Sequence, residues 1–290
     1  RYGHRYDHAQ TWNEVNVYVG PHGADGGLAA DMWSNLLGLL YVRTVGEPDD
    51  LASLPPHTGR PTSEVPWMVH HERTTSGAVH ICRVENFCKH FPEWGGLAFG
   101  VVEALVGQAF GERAVLFKDK LNYKGPGGGS FLAHQDATAY ATDKLATTHI
   151  SASVAIDPAT LENGPLEVAP GRHREGVLPH DAGVIAADAE AAMAFVPALL
   201  QPGDVLLFDS FLPHRSAPNT TASWRRSAYL TFNRAAEGDL HAAYYAKKRE
   251  AFAQGTAGTI SINKDFGGAN CAGAVVVVCM CACGMPSGSQ

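Results

Sequence analysis

From Gly111 onward the chain breaks into short β-like runs, Ala114–Tyr123, Thr147–Ile156, Pro165–Ala169, Asp204–Phe208 and Ser227–Asn233, each set off by Gly, Pro, Asn or Asp. Short apolar runs punctuated in this way read as the strands of a barrel or sandwich. Ahead of them, Leu97, Val101, Leu105 and Phe110 recur at helical spacing, with Phe99, Val102 and Val106 beside them, and predict a buried amphipathic helix over Trp94–Phe110. Gly111 stands where that helix would stop. Ala186–Ala194 reads as a short Ala-rich helix and Asp239–Phe252 as another, with Lys247-Lys248-Arg249 near its C-terminal end, where cations suit the helix dipole. The expected fold is therefore mainly β with flanking helices, a helix-backed barrel or jelly roll.

Composition narrows the function classes. With 45% apolar and 18% charged residues in 290, the chain can bury a sizeable core. A formal charge of −7, with Lys247-Lys248-Arg249 as the longest basic run, argues against a nucleic-acid partner. The apolar stretch around Ala274–Met280 falls far short of the ~18 residues a spanning helix needs, so no membrane partner is expected. Cys82 and Cys88 lie in the body, while Cys271, Cys279, Cys281 and Cys283 crowd the end without a CxxC pair or a nearby His. That usage reads as cytoplasmic, with a poorly ordered tail rather than a metal site. The chain opens at Arg1 without Met, so its start reads as cut. The expected division is an N-terminal segment, 1–66, one domain over 67–252, and a C-terminal segment with the Cys-rich tail, 253–290. Oligomeric state is left open.

The chemistry begins at His134-Gln135-Asp136, directly after the Gly-rich turn Gly125–Gly129. Residues i and i+2 of an extended segment project to one side, so His134 and Asp136 can converge on one ion while Gln135 points away. His-x-Asp alone says little. A second segment adds to it: Pro202-Gly203 launches an apolar strand that delivers His214 into a Pro-bounded stretch, with Ser216 two residues on and Arg225 eleven on. Two His and one carboxylate with open positions make the facial triad that suits non-haem Fe(II). An arginine beside it can grip a carboxylate in a bidentate pair, and Ser216 can add a hydroxyl.

These residues, with Pro66-Trp67-Met68, Cys82–Phe87, Leu116–Lys124, Glu162-Asn163-Gly164, Pro170–His173, Pro213–Asn219 and Tyr229–Asn233, resemble the phytanoyl-CoA dioxygenase family of Fe(II)- and 2-oxoglutarate-dependent oxygenases. The resemblance runs from about Trp67 to Phe252 and, within the family, is nearest the 2-aminoethylphosphonate dioxygenases. It implies a double-stranded β-helix, a cupin-like jelly roll with the metal at one open end. It also implies that His134, Asp136 and His214 bind Fe(II), that Arg225 and Ser216 hold the C5 carboxylate of 2-oxoglutarate, and that O2 is consumed as succinate and CO2 are released. The substrate would be a small molecule hydroxylated at an unactivated C–H, an organophosphonate such as 2-aminoethylphosphonate by resemblance. The rival substrates are an amino acid, a betaine-like amine or a lipid-derived acid; the rival class is a non-catalytic jelly-roll binding protein.

A zwitterionic phosphonate needs cations or donors at one end and a carboxylate or aromatic face at the other. Lys120, Asn122, Arg83, Asn86 and Arg226 are candidates for the first role, and Glu85, Asp119, Tyr123 and Tyr140 for the second. The Gly-rich turn lacks a Gly-Lys-Ser/Thr ending and reads as a flexible approach to the metal rather than a phosphate loop. Asn163-Gly164 reads as a tight hairpin turn.

Overall fold

The computed structural model describes residues 67–73, 79–141 and 146–253, together with the backbone of three short strands at 4–6, 16–19 and 39–43. The Cys-rich tail and most of the N-terminal segment lie outside the described residues. Two antiparallel sheets build the domain. The larger runs in the order β1 (His4–Tyr6), β2 (Asn16–Val19), β3 (Leu39–Arg43), β13 (Asp204–Asp209), β8 (His149–Ala155), β15 (Arg225–Arg234), β6 (Ala114–Lys124), β5 (Val79–Glu85), β4 (Met68–Arg73). The smaller runs β10 (His180–Asp181), β11 (Val184–Ile185), β7 (Phe131–His134), β14 (His214–Ser216), β9 (Leu166–Val168), β12 (Val196–Pro197). From β6 to β9 and again from β12 to β15 successive strands alternate between the sheets, as in a jelly roll, so Asn163-Gly164 is a crossover from β8 to β9 in the other sheet rather than a hairpin turn.

Period-two alternation gives the large sheet two different faces. Outward go Leu116 and Leu121 of β6, Ile150, Ala152 and Val154 of β8, Val205 and Leu207 of β13, and Ala228, Leu230 and Phe232 of β15. They pack on a helical layer made of α1 (Pro92–Gly96), a π turn over Leu97–Val102, and α2 (Glu103–Phe110). Trp94 and Phe87 are fully buried there, edge to face at 5.0 Å, and each side chain of this size contributes about 1.5–3 kcal/mol relative to exposure. Gly111 closes α2 with φ +70°, and Glu112 N–H donates to the Gly107 carbonyl at 3.2 Å.

The inward face is apolar only at one end, where Ala155, Leu206, Phe208 and Tyr229 meet Leu166 and Val168 of the small sheet. Elsewhere it is polar. Lys118, Lys124, Ser151, Ser153, Arg225, Ser227 and Thr231 are all buried, on strands whose other face packs the main apolar core. A face built only for packing would not carry ammonium and guanidinium groups, because burying charge is costly. Three further α-helices lie among the described residues: α3 (Ala137–Ala141), α4 (Ala187–Ala191) and α5 (His241–Ala253).

Candidate active site

β7 and β14 are neighbours in the small sheet, and their register sets His134 directly opposite His214. The imidazole centroids are 4.2 Å apart. Ligand atoms of His134, Asp136 and His214 lie within 4.8 Å of one another. Each ring is oriented in the same way: His134 Nδ1 is 2.7 Å from the Leu132 carbonyl and His214 Nδ1 is 2.9 Å from the Leu212 carbonyl. A carbonyl only accepts, so Nδ1 carries the proton in both rings and each Nε2 presents a lone pair. Burial, then the neighbouring His214, pushes His134 down to about 3, and burial lowers His214. Both rings are thus neutral at neutral pH. Burial works against the Asp136 carboxylate, but Lys120 and then Lys118 overcome it and hold the group well below the ordinary carboxylate range. Two neutral imidazoles and one anion converging on a point is a donor set that fits a divalent ion of the iron type.

Beside the triad lies a second cluster. Arg225 and Lys124 face each other across β15 and β6, and both are buried. Arg225 Nη1 donates to Ser227 Oγ at 3.0 Å, while its buried Nε has no partner among the described residues. Lys124 Nζ donates to Ser216 Oγ at 2.9 Å and also to the Ala217 carbonyl. An orphaned guanidinium N–H, an ammonium and a hydroxyl side by side are a donor set that fits a carboxylate. Its surroundings are tight. A Cβ on Gly164 (φ +66°) would strike the Ala217 carbonyl and Lys124 Nζ, and one on Gly128 would lie 2.8 Å from the Gly125 carbonyl. Asn219 fastens the glycine turn: its backbone N–H donates to the Gly128 carbonyl at 2.8 Å, its carbonyl accepts from Gly127 N–H at 3.0 Å, and its Nδ2 donates to the Lys124 carbonyl at 3.0 Å. The turn is pinned rather than a flexible approach.

A third group lines the same inward face. The register sets Glu85 opposite Lys120 and Arg83 opposite Asn122. A bulge at Thr231/Phe232, where β6 has one residue more than β15, turns Phe117 and Lys118 toward Tyr140. Lys118 Nζ donates to the Tyr140 hydroxyl at 2.8 Å, and Lys120 Nζ sits 4.8 Å over the Tyr229 ring. Glu85 is buried against Arg83 at 3.2 Å, His70 at 3.6 Å and Lys248 of α5. Burial, then Lys118, pushes Lys120 down to about 7, whereas Lys118 is raised despite its burial by Tyr244, Asp136 and Glu85.

Of the residues expected to contact substrate, Lys120, Asn122 and Arg83 therefore lie on the inward face of the large sheet, and Tyr140 of α3 packs against it. Arg226 does not. Neighbours on a strand point to opposite sides, and its guanidinium is engaged by Asp157, at 2.8 Å from Nε and 2.7 Å from Nη2. Asp119 also faces away, accepting from Phe87 N–H at 2.6 Å, Cys88 N–H at 3.0 Å and the His241 ring at 2.8 Å.

Comparison with known proteins agrees with this geometry. The phytanoyl-CoA dioxygenase (PhyH) family model matches residues 54–227. The chain belongs to the phytanoyl-CoA dioxygenase family. It is 44% identical over 196 residues to the methylphosphonate hydroxylase of Gimesia maris, an alignment covering 67% of this chain and 74% of that protein. It is 38% identical over 189 residues to the 2-aminoethylphosphonate dioxygenase of an uncultured bacterium, covering 64% and 72%. Among solved structures, EctD from S. alaskensis with 2-oxoglutarate and 5-hydroxyectoine superposes with a TM-score of 0.58 at 22% identity, over 74% of this chain and 80% of that one, and shares its fold. As a phytanoyl-CoA dioxygenase family member the protein is a 2-oxoglutarate-dependent dioxygenase on a double-stranded β-helix.

Two buried lysines of this family member, Lys118 and Lys124, and the partly buried Lys248 are not marked by the sequence as site residues. Lys118 and Lys124 were within reach, because Lys118, Lys120, Asn122 and Lys124 alternate through one strand and so share a face. Lys248 was not, since nothing local distinguishes a helix lysine that turns inward from one that faces solvent.

Proposed function

We propose that the protein hydroxylates the carbon next to phosphorus in a small organophosphonate such as 2-aminoethylphosphonate, consuming 2-oxoglutarate and O2 and releasing succinate and CO2, with Fe(II) held by His134, Asp136 and His214. The observation that carries this reading is the pair of neutral imidazoles and the carboxylate converging within 4.8 Å, beside a buried arginine with an unpaired N–H. The two curated relatives, a methylphosphonate hydroxylase and a 2-aminoethylphosphonate dioxygenase, support the substrate class. Bound iron and 2-oxoglutarate supply the oxidising power for C–H hydroxylation. The chain's own contribution is positional. Leu132 and Leu212 carbonyls keep the imidazoles in the ligand tautomer. Arg225, Lys124 and Ser216 orient the distal carboxylate of the co-substrate, and the buried inward face keeps bulk water from the reacting carbon.

The test is an anaerobic titration with Fe(II) and 2-oxoglutarate, followed by succinate release on adding 2-aminoethylphosphonate. A weak visible charge-transfer band should appear in the parent and vanish in His214→Ala and Asp136→Ala. Arg225→Ala should keep the band but raise the apparent KM for 2-oxoglutarate about 10- to 100-fold, the loss expected for a buried charge-assisted contact of ~1.5–3 kcal/mol. Undiminished turnover in either ligand variant would sink the assignment, and a folded parent without the band would favour a binding protein on the same barrel.

A further inference from the structure

Among the described residues, the inward face beyond the triad carries more positive charge than its own carboxylates balance. Arg83, Lys118, Lys120 and Lys248 gather around Glu85, with Asp136 next in line, and Asp136 is committed to the ion. Glu85 answers only part of that charge, since Arg83, His70 and Lys248 all crowd its one carboxylate. Lys118 keeps two donors beyond the one given to the Tyr140 hydroxyl. The Lys120 ammonium meets the Tyr229 ring and, among the described residues, no hydrogen-bond acceptor. Lysines this enclosed are costly unless an anion joins them, and the enclosure is made by rings: Lys118 lies 4.7 Å from the Tyr140 centroid and Lys248 lies 5.5 Å from that of Tyr244.

From this juxtaposition we infer that Lys118, Lys120 and Lys248, with the Tyr140 hydroxyl, form a receptor for a doubly charged tetrahedral anion, and that it holds the phosphonate of the substrate. The inference rests on the organophosphonate reading and deepens it. A phosphonate dianion offers three oxygens to converging ammonium donors and matches the surplus charge, whereas a sulfonate of the same shape carries one charge and a carboxylate lacks the third oxygen. The strand pairing places this receptor toward the Lys118 end of β6 and the co-substrate clamp at the Lys124 end, so that the two anions are recognised separately.

The experiment measures phosphonate-stimulated succinate release by the parent, Lys118→Met, Lys248→Met and Lys118→Arg, with the 2-oxoglutarate charge-transfer band recorded for each. The parent is also assayed for inhibition by methanesulfonate and by methylphosphonate. Each Met variant should raise the KM for phosphonate at least tenfold while the band persists, Lys118→Arg should recover most of the loss, and methanesulfonate should bind at least tenfold more weakly than methylphosphonate. KM values within twofold of the parent in both Met variants, or equal binding of sulfonate and phosphonate, would overturn the receptor while leaving the enzyme an organophosphonate hydroxylase. If the Met variants fail to fold, the sulfonate comparison on the parent decides. A parent that binds 2-oxoglutarate but responds to no phosphonate overturns the substrate reading, and the receptor with it.

Discussion

Gln135 shows how much of this site is made by residues that touch nothing reactive. It sits between two ligands, points away from them as an extended segment dictates, and is fully buried. Its Nε2 donates to the Gly176 carbonyl at 2.8 Å and the Phe211 carbonyl at 2.6 Å, and its Oε1 accepts from Leu178 N–H at 2.8 Å. One side chain thereby ties the loop after β9 and the loop before β14 to the strand that carries His134. Gln135→Leu leaves a buried N–H and two carbonyls without that partner, and should cost about 2–4 kcal/mol, read as a shift in urea midpoint. At this scale the sequence was most informative where chemistry restricts residue type. His134, Asp136, His214, Ser216 and Arg225 can be named from the sequence because few other side chains suit the roles proposed for them. Lysine is different: most lysines are solvated, and only the buried run around them marks Lys118 and Lys124 as exceptions. Arg226 was misjudged for want of parity, since its neighbour Arg225 already faced inward.

Among the elements, α5 is held to the sheet by two buried carboxylates, Glu85 through Lys248 and Asp119 through His241. Asp119 accepts from the His241 ring and from two backbone N–H groups after β5, and its carbonyl accepts from the Tyr245 hydroxyl at 2.7 Å. The same helix carries Tyr244 and Lys248 inward. Asp119→Ala should therefore destabilise the fold by about 2–4 kcal/mol, measured by denaturant unfolding, and should raise the KM for substrate more than that for 2-oxoglutarate, because it loosens the helix and leaves the Arg225 end untouched. Gly164→Ala makes the opposite split. Its strained φ and the collision with Lys124 should raise the KM for 2-oxoglutarate first. Five of the ten strands after Gly111 are legible because turn residues bracket them, and their ends agree with the structure to within two residues. β4 and β5 were not read as strands, because Arg83 and Glu85 break the apolar alternation where the sheet turns its polar face inward. Such an interruption looks like a loop until the charges have partners.

The whole molecule combines a buried base and a buried acid in ways that set its response to acidity. His149 lies between Phe117 and Tyr140, and burial lowers it to about 4. A folded-state value below the ordinary ~6.5 means that the unfolded chain takes up the proton first, so the stability is whole above about pH 6.5 and is lost as pH falls from there. Glu85 is held well below the ordinary carboxylate range by Lys248 and Arg83 against its burial, and it contributes in full above about pH 4.3 and less below. The metal-free protein should therefore lose stability in two stages on acidification. His149→Phe should remove part of the first stage, seen as a smaller drop in urea midpoint between pH 7.5 and pH 5 than the parent shows.

Strand β6 also bears on descent. Lys124 stands at one end of it, against Ser216 and Arg225, and Lys118 stands six positions away, about 20 Å along the chain. On the division of roles proposed above, exchanges near Lys118, and on α5, would redirect the enzyme to new molecules while the Lys124 end stays as inherited. A lineage built on such a strand can diversify its diet without reinventing its oxidant.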